Sequence, residues 1–316
     1  MKWIISHQSA LEYWRGADAD KALKGKIPRT IKPQAKPLNA EELYTENFRG
    51  LAKPLHVLVG NGNARKVNRN LHCHVYSGEL PYGSFVQMES GLVVSSPELC
   101  FLQMAGELSL VDIVTLGFEL CGRYRLDKES AEGKGFREDL PLTGVGSLGS
   151  YIARISGLKG GKNALRALRF IADGAASPME TILTMLLILP YKLGGYGFPK
   201  PFLNYRIESP ASVIKSTGKS KHYFCDLYWP DKKVDVEYDS DAYHTGPERI
   251  DQDAIWRNAL TSMGITVVTV SSRQIFETQK MRELAKILSK LLRKRLKPPI
   301  VEFTYRYADL LDRLLH

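Results

Sequence analysis

Phe224-Cys-Asp-Leu-Tyr-Trp-Pro-Asp-Lys-Lys-Val-Asp-Val-Glu-Tyr-Asp239 is the segment on which the reading of this chain turns. Two short apolar runs flank Pro230-Asp231, a turn-forming pair, so the segment predicts a hairpin. Asp226 lies in the first strand and Glu237 in the second, and a tight antiparallel hairpin sets such positions side by side. The two-residue period of a strand puts Asp235, Glu237 and Asp239 on one face and Val234 and Val236 on the other. Carboxylates inside apolar strands repel one another and resist ionisation unless a cation or protons sit between them. A hard divalent ion, magnesium or manganese, suits oxygen ligands of this kind. Such an ion activates water and stabilises charge on a phosphate, which points to phosphodiester hydrolysis. The competing reading is a half-wet hairpin whose acids face solvent.

Working outward, helical and strand periodicities give the order α-β-β-β-α-β-α for the second half of the chain. A helix is predicted from Pro178 to about Leu189, then strands near 202–207, 223–229 and 233–239. A helix over 249–263, a strand over 265–270 and a helix over 274–292 follow. Ser177-Pro-Met-Glu180 is a capping box at the first helix, and its Glu180 is a candidate third acid for the hairpin. His244, five residues beyond Asp239, is of a type that activates an attacking water or binds phosphate. Asp253 and Arg257 are spaced to pair on one helical face, so Arg257 serves either that pair or a DNA phosphate. Lys232 and Lys233 in the hairpin turn are further candidates for backbone contact, as are basic residues such as Lys290, Arg293 and Lys294.

The first half reads as α+β. Strands are expected near 56–59, 72–76, 85–88 and 92–94, with helices opening at Ser96-Pro97-Glu98 and spanning 110–120. Residues 125–150 read as a polar, Gly-rich linker, and the domain boundary is expected near residue 155. Residues 156–297 then form the second domain and 298–316 a terminal helix. Gly144-Val-Gly-Ser-Leu-Gly149 matches a dinucleotide-binding spacing but follows a poor strand, so it reads as a loop. His72-Cys-His74 places two histidines on one strand face, and two ligands alone do not make a metal site.

Composition narrows the partners. The chain has 316 residues, 44% hydrophobic and 25% charged, as globular domains do. Its net charge of +10 favours a polyanion. No apolar run reaches the roughly 18 residues of a membrane span, and the N-terminus lacks a signal-peptide core, so no membrane role is expected. The four cysteines form no CxxC pair, which fits a reducing, cytoplasmic setting.

From about Ser177 to Val270 the chain resembles the endonuclease domain of the very-short-patch mismatch-repair nucleases, within the PD-(D/E)XK superfamily. The matching pieces are Ser177-Pro-Met-Glu180, Cys225-Asp-Leu-Tyr-Trp-Pro230, Val236-Glu-Tyr-Asp-Ser240, Tyr243-His244 and Asp253-Ala-Ile-Trp-Arg257. The resemblance implies a restriction-endonuclease-like α/β fold with an αβββαβ core on a mixed sheet. It implies a metal-dependent DNA endonuclease, with Glu180, Asp226 and Glu237 as metal ligands and Asp239 and His244 beside them. The superfamily lysine two residues after the second acid is Asp239 here, as the mismatch-repair branch also lacks it. Ile5-Ser-His-Gln-Ser-Ala-Leu11 and Val94-Ser-Ser-Pro-Glu-Leu-Cys100 resemble the body of AbiE-type abortive-infection antitoxins, without the winged helix. That second resemblance implies an alternative: an inactive nuclease-fold regulator or antitoxin that binds DNA and a cognate toxin protein.

Overall fold

A computed structural model describes residues 4–17, 51–65, 69–88, 92–127, 129–130, 133–155, 157–208, 222–239, 256–297 and 301–315. It is an α/β protein of two compact units, Met1–Ile171 and Ala172–His316.

The first unit is built on a five-stranded mixed sheet: β1 (Ile4–Ile5), β2 (Leu55–Val59), β3 (Leu71–Val75), β4 (Phe85–Gln87) and β5 (Val93–Ser95), in the order β3-β2-β1-β5-β4. The β2–β3 and β1–β5 pairs are parallel and the other two antiparallel. Helix α1 (His7–Gly16) buries Ala10, Leu11 and Trp14, one stripe at helical spacing. The Trp14 indole N–H donates to the Ser95 carbonyl at 2.9 Å, tying α1 to β5. Helices α2 (Pro97–Met104) and α3 (Leu110–Cys121) start at Ser96 and Ser109, whose hydroxyls accept the Leu99 and Asp112 amides. Serine in that role satisfies a donor that the first turn leaves unpaired. Arg15 binds both carboxylate oxygens of the buried Glu119 at 2.8 and 2.7 Å, joining α1 to α3.

Residues 125–150 differ from the linker expected. They contain a short hairpin, β6 (Tyr124–Leu126) with β7 (Phe136–Glu138), and helix α4 (Val145–Ala153). The cause is a stripe of Leu148, Tyr151 and Ile152, all buried, spaced three and four apart. The glycines of the 144–149 motif therefore start and line a helix, with Gly144 at its cap. Helix α5 (Gly161–Ala167) follows and belongs to the first unit. Gly117 on α3 has no room for a side chain because Ile171 fills the space beside it. This packing carries the first unit to Ile171, sixteen residues beyond the expected boundary.

In the second unit, helix α6 (Pro178–Ile188) is buried from Glu180 to Ile188, as a helix enclosed on all sides must be apolar all round. Strands β8 (Phe202–Glu208), β9 (His222–Trp229) and β10 (Val234–Asp239), a helical turn pair at residues 256–262 (α7), and β11 (Thr266–Ser271) come next. The sheet order is β11-β10-β9-β8; β10 and β11 run parallel and the other pairs antiparallel. α6 packs on β9 and β10. The α7 residues Ala259 and Leu260 pack with Tyr223, Cys225, Tyr228 and Ile265. The expected 274–292 helix is two helices, α8 (Ser272–Phe276) and α9 (Thr278–Leu291), parted by the extended backbone of Glu277. The terminal helix α10 (Val301–Leu315) is part of this unit: Tyr307 is fully buried and its hydroxyl donates to the Ile275 carbonyl at 2.7 Å.

Candidate metal centre at the parting of two strands

Strands β9 and β10 pair at Trp229–Val234, Tyr228–Asp235 and Leu227–Val236. The next position in that register joins Asp226 to Glu237. There the ladder stops, because β9 continues along β8 as far as His222 while β10 continues along β11 as far as Asp239. The two carboxylates close the resulting gap. Glu237 Oε1 accepts the Asp226 amide at 3.2 Å, and Asp226 Oδ2 accepts the Tyr238 amide at 2.9 Å. Each acid thus satisfies a backbone donor that a continuing ladder would otherwise have paired.

A third acid stands nearby. Ser177 caps α6, its hydroxyl oxygen accepting the Glu180 amide at 3.2 Å, and Glu180 Oε2 accepts the Ala176 amide at 2.9 Å. The Ser177 cap read from the sequence is present, but the Glu180 carboxylate, which is buried, reaches back to the Ala176 amide rather than to that of Ser177. Asn204 steadies the same carboxylate: its amide nitrogen donates to Glu180 Oε2 at 2.8 Å and to the Gly174 carbonyl at 3.0 Å. Asn204 sits in the left-handed region at φ 46°, a conformation that asparagine tolerates better than most residues. In the β8–β9 register it lies across from Asp226, so Asn204, Asp226 and Glu237 occupy one row over three strands.

Electrostatics mark this row. Burial pushes the Asp226 carboxyl well above the ordinary carboxylate range, and the charges of Glu237 and Glu180 push it further. Burial, followed by the neighbouring Asp235, raises Glu237 to about 10. Burial raises Asp235 to about 6. Asp235 is fully buried, and no hydrogen bond of normal geometry reaches either of its oxygens. Ligand atoms of Cys225, Asp235 and Glu237 lie within 4.8 Å of one another. The Cys225 thiol is buried and pushed far up, so it stays protonated and is no anionic ligand.

The donor set fits a hard divalent cation. Its oxygens come from carboxylates, the acids are held from ionising by mutual repulsion, and Asp235 carries orphaned lone pairs. The hydrogen bonds described engage one oxygen each of Asp226 and Glu237, and a carboxylate has capacity on the other.

Of the residues singled out from the sequence, Asp226 and Glu237 meet at the seam and Glu180 is near enough for its charge to act on Asp226, while the ligand atoms clustered within 4.8 Å there are those of Cys225, Asp235 and Glu237. Asp239 ends β10, opposite Ser271 and exposed. Arg257 is exposed on α7. Lys232 and Lys233 are exposed. They lie in the turn, with Lys233 four residues from Glu237, about 13 Å of extended chain. The Lys233 ammonium is turned toward the Met263 carbonyl, 3.5 Å away. His244, Asp253 and Lys221 lie outside the described residues. Asn204 and Asp235 were missed as members of the site. Asp235 was legible as a sharer of the Glu237 face; nothing in the sequence marks Asn204, whose place depends on a register set by distant strands.

No protein-family model matches the chain, and no solved structure matches it. Two proteins of Mycobacterium tuberculosis are similar to it: uncharacterized protein MT2308 of strain CDC 1551 / Oshkosh and uncharacterized protein Rv2248 of strain ATCC 25618 / H37Rv. Each is 25% identical over 194 residues, a stretch covering 60% of this chain and 58% of the relative's own length.

Proposed function

We propose that this chain is a magnesium- or manganese-dependent DNA endonuclease of the PD-(D/E)XK type. The observation that carries the reading is the meeting of Asp226 and Glu237 where β9 and β10 separate, with Glu180 beside them. The order helix, three strands, helix, strand, with a parallel β10–β11 pair, agrees with such a core. The net charge of +10 suits a polyanionic substrate.

Asp226, Glu237 and Glu180 are the residues that would hold the ion. Bound there, a divalent cation supplies an activated water and stabilises charge on the scissile phosphate. Asn204 holds the Glu180 carboxylate through a hydrogen bond from its amide nitrogen. Glu180 is buried and Asp226 and Glu237 are half-buried, which strengthens charge interactions within the site over those in open water. Without a counterion the row holds protons; with one it ionises.

Purified protein incubated with supercoiled plasmid and magnesium or manganese tests the reading. Cutting by the wild type that is abolished in Asp226→Ala is the expected result.

A second reading has its own support. Both acids already satisfy backbone amides, and the usual lysine position holds Asp239. A seam satisfied in this way is consistent with a nuclease scaffold kept for DNA binding, in a regulator or an antitoxin with a protein toxin partner. Salt-sensitive DNA binding without cutting under either metal, or stable association with a toxin encoded beside it, selects this reading.

A further inference from the structure

Four of the chain's seven histidines meet in the first unit. Parallel pairing of β2 and β3 sets His56 directly beside His72, and His74 follows on the same strand face. The ring centroids are 4.8 Å apart for His56 and His72, 5.0 Å for His56 and His74, and 4.5 Å for His72 and His74. His56 Nδ1 is 2.9 Å from His74 Nε2, and ligand nitrogens of all three rings lie within 4.8 Å of one another.

We propose that His56, His72 and His74 bind one divalent transition-metal ion of the zinc class, with its remaining coordination position open to a cavity. Two nitrogens at about 2.0–2.1 Å from one tetrahedral ion stand about 3.3 Å apart, close to the spacing seen here. Imidazole suits zinc, copper, nickel and iron rather than magnesium or calcium. A single ring-to-ring hydrogen bond explains the closest contact but not the convergence of a third ring on the same point.

The surroundings are built to orient these rings. His74 Nδ1 lies 3.8 Å from Glu107 Oε1, an ion-pair distance rather than a hydrogen bond, and Nε2 faces His56. His7 stacks on His74 with centroids 3.4 Å apart and an 11° tilt. His7 takes the left-handed region at φ 48°, costly for a residue with a side chain. Its amide donates to Gln103 Oε1 at 3.0 Å, which holds that conformation. Burial first, then the adjoining rings, lower His74 to about 3 and also lower His56, which keeps these imidazoles in the neutral form that ligates metal. His72 and His74 line a cavity of about 460 Å³, together with Arg65, Glu107 and Lys159. Three protein ligands beside an open cavity is the arrangement of an ion that keeps a position for water or substrate.

This site is independent of the nuclease reading and can stand or fall alone. The test is calorimetric titration of tag-free, chelator-treated full-length protein with zinc(II), with cobalt(II) absorption as a second readout. The expected result is one saturable ion per chain and a cobalt spectrum of a low-coordinate nitrogen site. His72→Ala, on an exposed side chain, should fold normally and weaken zinc binding at least about 10-fold. Asp226→Ala should leave zinc uptake unchanged. Absence of saturable uptake by the wild type, uptake unaltered in His72→Ala, or uptake lost in Asp226→Ala overturns the proposal.

Discussion

Asp226 and Glu237 are each bonded to the other's strand: Glu237 Oε1 takes the Asp226 amide and Asp226 Oδ2 takes the Tyr238 amide. The pair therefore has two duties. It closes the seam between β9 and β10, and it gathers carboxyl groups that resist ionising into one half-buried row. Asp226→Ala removes one acid and one acceptor of the Tyr238 amide. On the proposed nuclease reading, cleavage should fall at least about 100-fold, since a polarising metal contributes several kcal/mol to the transition state. The metal-free protein should also lose about 1 kcal/mol with that hydrogen bond. Plasmid cleavage and urea denaturation measure the two effects separately.

The acids predict an unusual pH dependence for the metal-free protein. Asp226, Asp235 and Glu237 all have carboxyls raised in the folded state. A group raised on folding binds more protons folded than unfolded, so its stabilisation is full below the unfolded value, near about 4. That stabilisation is lost as pH rises through the folded values, which run from about 6 for Asp235 to about 10 for Glu237. The melting temperature should fall between pH 5 and pH 9, roughly the span between these limits. Glu237→Gln should flatten the slope, and a slope that rises with pH would contradict the assignment.

Asp235 is fully buried, and its contacts with Glu237 and Cys225 fall short of normal hydrogen-bond geometry. Asp235→Val has a similar shape and suits a buried strand. It should raise the stability of the metal-free fold by about 1–3 kcal/mol, read from denaturant midpoints. A destabilised variant would show that Asp235 has a partner in solution.

Glu180 joins the cap of α6 to Asn204. Glu180→Ala should cost about 1 kcal/mol of stability as a lost cap. It should also lower the apparent magnesium requirement's steepness toward that of a site with fewer ligands, measured as cleavage rate against metal concentration. Asn204→Ala keeps the ligand but frees its orientation, and should weaken metal dependence less than Glu180→Ala does.

In the first unit, Arg15 and Glu119 form a two-pronged pair with Glu119 only 2% exposed. Glu119→Ala leaves the Arg15 guanidinium without its counterion and the Leu126 amide without its acceptor. The expected loss is about 3–5 kcal/mol, visible as a fall in melting temperature.

How far the sequence could be read follows from what sets each feature. The hairpin, the α6 cap and the order of elements in the second unit were legible because turn dipeptides, capping residues and periodicity are local signals. α4 was not legible, because its glycines spoke for a loop while its stability comes from Leu148, Tyr151 and Ile152 finding a core. Arg15 and Glu119 gave no warning of each other across more than a hundred residues. The histidines show the same limit. His72 and His74 were visible as a pair, and two ligands made no site; His56 joins them only through a parallel strand pairing that no local pattern announces.

The crossed bonds of Asp226 and Glu237 carry a consequence for amide hydrogen exchange. An ion seated on the remaining oxygens would pin both carboxylates and leave the Asp226 and Tyr238 N–H bonds in place. Those two backbone protons would then report occupancy by exchanging more slowly with deuterium once the ion arrives.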